Sequence, residues 1–162
     1  MKAAVVYDSY HGNTGFVGQT IAAELRAHGY DAEVVDLHKK HRDPAPAQLL
    51  FLGSPVRMGF TTKKVKQFLV QLDKDAWRGA TVVVFTTILE EPKDPTAEHT
   101  RGREKYDIGA GCQLRDLARA EGFAALEEQL WVEVRGWRGP LVDTGVDRSR
   151  RFVRKVLEER AG

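Results

Sequence analysis

Cysteine is almost absent from this 162-residue chain, in which Cys112 stands alone. No internal disulfide can form, and a reducing cytoplasm is the natural expectation. An excess of one charge is missing too: 25 Lys and Arg face 23 Asp and Glu, for a formal net charge of +2. That balance demands neither a nucleic acid nor an acidic membrane as partner. Long hydrophobic runs are lacking as well. Met1 and Lys2 lead directly into Ala3, Ala4, Val5, Val6 and Tyr7, a stretch far too short to cross a bilayer, so neither a signal peptide nor a transmembrane segment is expected. His38 and His41 lie three apart with no cysteine or third histidine close by, so no metal site is expected. Internal repeats and coiled-coil heptads are likewise absent.

What the chain does have is 42% hydrophobic residues, enough for a single domain over residues 1–162 and too few for two. Short apolar runs alternate with helical patterns throughout, as βα units wound into a parallel sheet require. Strands are predicted at Lys2–Tyr7, Ala32–Leu37, Leu49–Leu52, Thr81–Thr86 and Leu130–Val134. The third and fourth are continuously apolar, as central strands covered on both faces should be. The second mixes Val35 and Leu37 with Glu33 and Asp36, which suits an edge. Val17, Ile21 and Leu25 recur every four residues, and Val65, Phe68, Leu69 and Leu72 follow i, i+3, i+4, i+7, so each set lines one face of a helix. A third helix is predicted from near Gly111 to Glu121, ended by Gly122, and a last one carries Phe152, Val153, Val156 and Leu157. Lys39 to Ala47, broken by Pro44 and Pro46, is expected to be mostly coil. Leu89 to Asp107 is rich in charge with almost nothing to bury, and a stretch of that kind is a partner site, a lid or disordered.

Two loops are unusual. Asp8, Ser9, Tyr10, His11, Gly12, Asn13 and Thr14 lead straight into the first helix. Hydroxyls, an amide and a glycine at a helix N-terminus offer short donors, open backbone N–H groups and a positive dipole end, which together suit a phosphate monoester. The plainer alternative is that Ser9 and Thr14 cap the helix while Gly12 and Asn13 make the turn. A Walker loop needs Gly-Lys-Ser/Thr and a dinucleotide fingerprint needs three spaced glycines; neither is present. The second unusual loop runs from Gly53 to Thr62.

Val6 to Leu25, V-Y-D-S-Y-H-G-N-T-G-F-V-G-Q-T-I-A-A-E-L, resembles the phosphate-binding signature of flavodoxins. Leu50 to Leu69, beginning L-F-L-G-S-P-V-R-M-G, resembles the flavodoxin segment that flanks the flavin ring. Val134 to Phe152 resembles the ending of small stand-alone flavodoxin-domain proteins. The resemblance implies an α/β fold of the flavodoxin type, a five-stranded parallel sheet of order 2-1-3-4-5 with helices on both faces, and FMN as cofactor. Ligands sit where the winding of such a sheet reverses; flavodoxins are themselves the standing illustration of that rule, so it comes with the family here. Residue by residue, the resemblance implies phosphate contacts from Ser9, His11, Gly12, Asn13 and Thr14. It places Ser54, Pro55, Val56, Arg57, Met58 and Gly59 along one side of the flavin and Thr86 and Thr87 on the other.

The chain departs from the family in three ways. His11 stands where flavodoxins carry Thr. The stacking aromatic usual after the third strand is replaced by Arg57, Met58 and Phe60, leaving Met58 or Tyr106 as candidates. Arg57, Lys63 and Lys64 bring positive charge where low-potential flavodoxins are acidic, and a cation there would favour the anionic reduced flavin. Trp131 and Trp137 read as packing residues. The resemblance implies an electron carrier working with a redox partner protein or a small electron acceptor, in which no catalytic side chain is needed. A second reading is an FMN-dependent oxidoreductase, because Pro55 to Gly59 also resembles a stretch of the menaquinone-dependent protoporphyrinogen oxidases. A third is a flavin-free binding module of the same fold. The sequence leaves the oligomeric state open, a homo-oligomer included.

Overall fold

The structure, a computed structural model, describes residues 1–90 and 103–161. Six strands and four helices follow one another as β1 (Lys2–Tyr7), α1 (Asn13–Ala27), β2 (Asp31–Asp36), β3 (Leu49–Pro55), α2 (Lys63–Gln71), β4 (Thr81–Leu89), α3 (Arg103–Ala120), β5 (Ala124–Ala125), β6 (Leu130–Val134) and α4 (Gly145–Ala161). All strand pairs are parallel. Spatially β2, β1, β3 and β4 lie side by side, and the fifth position is shared: β5 pairs with the start of β4 and β6 with its end. The expected 2-1-3-4-5 order therefore holds, with its last strand broken in two.

Burial explains the layering. Leu50, Leu52, Val82 and Val84 pack with Val65, Phe68 and Leu69 of α2 and Leu114 and Ala118 of α3. Their neighbours along the same strands, Phe51, Val83 and Phe85, turn to the opposite face and meet Val17, Ile21 and Leu25 of α1 and Val153 and Val156 of α4. Side chains alternate across a strand, so a run that is apolar at every position must be covered on both sides. Each of these large side chains stabilises the fold by about 1.5–3 kcal/mol on burial. An ion pair of 2.7 Å between Arg154 Nε and Glu24 Oε1 ties α4 to α1.

Several boundaries move. β3 and β4 run on to Pro55 and Leu89, beyond the predicted Leu52 and Thr86. α3 starts at Arg103, about two turns ahead of Gly111, so the charged segment from Leu89 to Asp107 is partly strand and partly helix; its residues 91–102 lie outside those described. The crossover from β2 to β3 carries no helix, as its two prolines imply.

A close approach inside the sheet fixes how β3 meets β4. Gly53 and Phe85 are register partners, and a methyl group on Gly53 would fall inside the buried Phe85 ring. The ring covers the bare glycine as an aromatic covers a sheet glycine elsewhere. Gly53→Ala is expected to lower stability by about 1–3 kcal/mol, read as a fall in the urea midpoint. Phe85→Leu added to it should recover part of that loss.

Burial also bears on Tyr7, whose ring lies under α1 against Gly15 and Gly18. Desolvation raises its phenol above the ordinary 10.0, against a smaller opposing effect from the Gln19 hydrogen bond. A folded-state value above the unfolded one gives stability that is present below pH ~10 and is lost as pH climbs through the folded value. Tyr7→Phe should therefore flatten the alkaline limb of a stability–pH curve.

Candidate functional site

The loops after β1, β3, β4 and β6 meet at the carboxyl edge of the sheet. Backbone bonds from Asp8 N–H to Gly53 O (3.2 Å), Val56 N–H to Thr87 O (2.9 Å) and Glu90 N–H to Val134 O (2.8 Å) hold their first residues together. Between them opens a narrow crevice of about 40 Å³, walled by Tyr10, His11, Asn13 and Thr14, by Pro55, Val56 and Arg57, by Thr87, Ile88 and Leu89, and by Val134 and Trp137.

At the floor, Gly12 adopts φ 89°, which L side chains rarely reach, and begins α1 with its carbonyl accepting from Phe16 N–H at 2.9 Å. Ser9 Oγ accepts from Gly15 N–H at 3.0 Å, so this hydroxyl caps the helix, the plainer of its two predicted roles. The N–H groups of Asn13 and Thr14 have no acceptor among the described residues. Thr14 Oγ1 lies 2.7 Å from Thr87 Oγ1, both buried, which fastens the first loop to β4. A fully buried carboxylate, Asp8, sits below the loop; His38 Nδ1 comes to 3.4 Å, within ion-pair reach but not aligned as a hydrogen bond.

The wall from β3 is a tight hairpin. Arg57 and Phe60 exchange two backbone bonds of 3.0 Å around Met58 and Gly59, whose φ values are 53° and 81°. Two central residues with positive φ define the primed turn that matches strand twist, and Asn-Gly is its preferred sequence. Ser54 is consumed in holding this hairpin: its hydroxyl donates to Pro55 O at 2.7 Å and accepts from Thr62 N–H at 2.9 Å. Met58 is 85% exposed at the tip.

Of the predicted contact residues, His11, Asn13, Thr14, Pro55, Val56, Arg57 and Thr87 line the crevice, while Ser9, Gly12, Ser54, Met58, Gly59 and Thr86 do not. Thr86 is β4's register partner for Ser54, with its hydroxyl buried and lacking a partner among the described residues. The side chain of Thr87, the next residue along the strand, reaches the first loop instead.

Among the crevice residues that escaped the sequence reading are two aromatic ones. Tyr10 and Trp137 are 44% and 57% exposed, and the Arg57 guanidinium lies 4.5 Å from the first ring's centre and 5.8 Å from the second. The Tyr10 ring meets His38 edge-on at 4.6 Å. Trp137 is carried by a return of the chain onto β6, held by Arg135 N–H to Pro140 O and Val142 N–H to Glu133 O, both 2.9 Å. Gly139 in that return lies so near the Asn13 amide that a Cβ there would collide with it.

A sequence profile for a flavodoxin domain matches residues 4–126. The chain belongs to the flavodoxin domain family. Solved flavodoxins have the same fold across nearly their full length. An archaeal flavodoxin superposes with a TM-score of 0.68 at 16% identity, covering 98% of each chain. Flavodoxin 1 from Bacillus cereus gives 0.68 at 20% identity with the same coverage. A Fusobacterium nucleatum flavodoxin variant bound to flavin mononucleotide gives 0.64 at 12%, covering 98% of this chain and 96% of that one. No curated protein sequence matches. Among the described residues of this flavodoxin domain, no three His, Cys, Asp or Glu side chains group to hold a metal, and no helix is long and apolar enough to cross a membrane.

Met58 occupies a left-handed position that disfavours ordinary L residues by about 1–2 kcal/mol. Met58→Asn should therefore raise stability by up to about 1 kcal/mol, measured as a higher urea midpoint.

Proposed function

We propose that the crevice binds FMN and that the protein is an electron carrier of the reducing cytoplasm, passing electrons to a protein partner or a small acceptor. The reading rests on one observation above all. Asn13 and Thr14, at the positive end of α1, line the cleft between the β3 and β4 loops and their N–H groups have no acceptor among the described residues, and a phosphate monoester is the ligand such a helix start accommodates. Family membership and the flavin mononucleotide bound to the Fusobacterium relative support the same choice.

The residues fit the group. Asn13, Thr14 and the His11–Gly12 backbone would hold the phosphate, with Ser9 keeping the helix start in shape. Pro55, Val56 and Arg57 would flank one side of the ring and Thr87, Ile88 and Leu89 the other. The flat guanidinium of Arg57 already lies between Tyr10 and Trp137, a setting equally suited to another planar π-system. Bound there, FMN supplies one- and two-electron chemistry, while the chain sets its position and surroundings. Arg57 is the one Lys or Arg among the described residues that wall the crevice, and it favours added negative charge nearby.

The visible spectrum of the purified protein, and fluorescence titration of the stripped protein with FMN, test this. Asn13→Ala should weaken binding about tenfold, since one hydrogen bond to a charged group contributes about 1.5–3 kcal/mol. Unchanged affinity with intact circular dichroism refutes the phosphate assignment. Arg57→Glu should lower the midpoint potential of the bound flavin in an equilibrium redox titration.

A further inference from the structure

Among the described residues, the ion pairs take in few of the cations on one face of the protein. Glu24, Glu127, Glu128 and Glu133 are matched with cations on α3 and α4, and Glu121 with Lys74 in the turn after α2. At the carboxyl edge of the sheet, Arg57, Lys63, Lys64, Lys66 and Arg138 form no ion pair among the described residues. Of the carboxylates described there, Asp8 is buried and Asp143 pairs with Arg135 at 3.0 Å, which leaves Asp36 and Glu90 against the five cations. A net charge of only +2 thus conceals a local excess of cations over carboxylates among the described residues of this face.

Three of these cations stand where local physics disfavours them. Lys63, Lys64 and Lys66 occupy the start of α2, whose first turn holds no acidic residue, so they repel the helix dipole. Large apolar side chains sit exposed in their midst: Met58 at the hairpin tip, Phe60 with the Lys66 ammonium 5.7 Å from its ring centre, and Tyr106 beside Gly59. An apolar centre ringed by like charges has the composition of a protein-binding patch, and Met is the side chain most tolerant of varied partners.

We propose that this face docks a small acidic electron-transfer protein, with Met58 and Phe60 as the contact centre and Lys63, Lys64 and Lys66 as the cations that select it. The inference rests on the electron-carrier reading and gives its partner's chemistry. Charge complementarity steers such encounters and rejects a basic carrier by repulsion.

The test uses two purified probes, an acidic rubredoxin and a basic cytochrome c, titrated calorimetrically into the protein with and without FMN. Rubredoxin should bind in both cases, at least about tenfold more weakly when salt is raised from about 20 to 500 mM. Lys63→Glu with Lys64→Glu should weaken it by a similar factor and admit cytochrome c, in the FMN-free protein as well as in the loaded one. After photoreduction of the loaded protein, stopped-flow electron transfer to each probe should follow the same order. Preference for cytochrome c, or rubredoxin binding indifferent to both salt and charge reversal, overturns the proposal. A protein that takes up no FMN yet binds rubredoxin as described refutes the cofactor reading and leaves the docking face standing.

Discussion

The parallel contact between β3 and β4 is the constraint on which the rest of the molecule hangs. Both strands are buried on both faces, so the usual rule that a one-residue slip exposes the core does not fix their register. Leu49 and Phe51 are as apolar as Leu50 and Leu52. What fixes it is shape and hydrogen bonding near one end: the Phe85 ring over bare Gly53, the Thr87 hydroxyl on Thr14, and Thr87 O accepting from Val56 N–H. With that register set, the loops after β1, β3 and β4 have no choice but to meet, and the crevice follows.

How far the sequence discloses this depends on the range of the interactions involved. β1 is legible to the residue, because a short apolar run bounded by polar residues is a local signal. The full reach of β3 and β4 is not, since Ser54, Pro55, Thr87 and Leu89 look like loop residues until their partners across the sheet are known. α3 is predicted short because Arg103 to Asp107 shows no apolar periodicity. The divided fifth strand has no local mark at all. At the site, the polar loop that opens α1 and its turn at Gly12 are readable from residue type. Tyr10 and Trp137 are not, for an aromatic side chain in a loop packs or lines a cleft according to where distant chain returns; Trp137 depends on the pairing of residues 133–142. Ser54 illustrates the converse, a motif residue whose hydroxyl is consumed in holding the hairpin that its neighbours use.

Electrostatics and packing reinforce one another around that hairpin. Met58 holds a conformation better suited to Asn, and the lysines behind it oppose their own helix. Both features work against folding stability, and both lie at the mouth of the crevice, where departures from local preference are commonly tied to function.

The return of the chain from Arg135 to Val142 has a bearing beyond the placement of Trp137. Through Val134 paired with Leu141 it also occupies the outer rim of β6, while β2, at the opposite margin, displays Asp31 and Glu33 to solvent. Strand margins blunted by a covering loop and by charge resist recruitment of a further strand. Lengthening of the sheet is thereby disfavoured at both of these margins, and contact between copies there falls to side-chain surfaces.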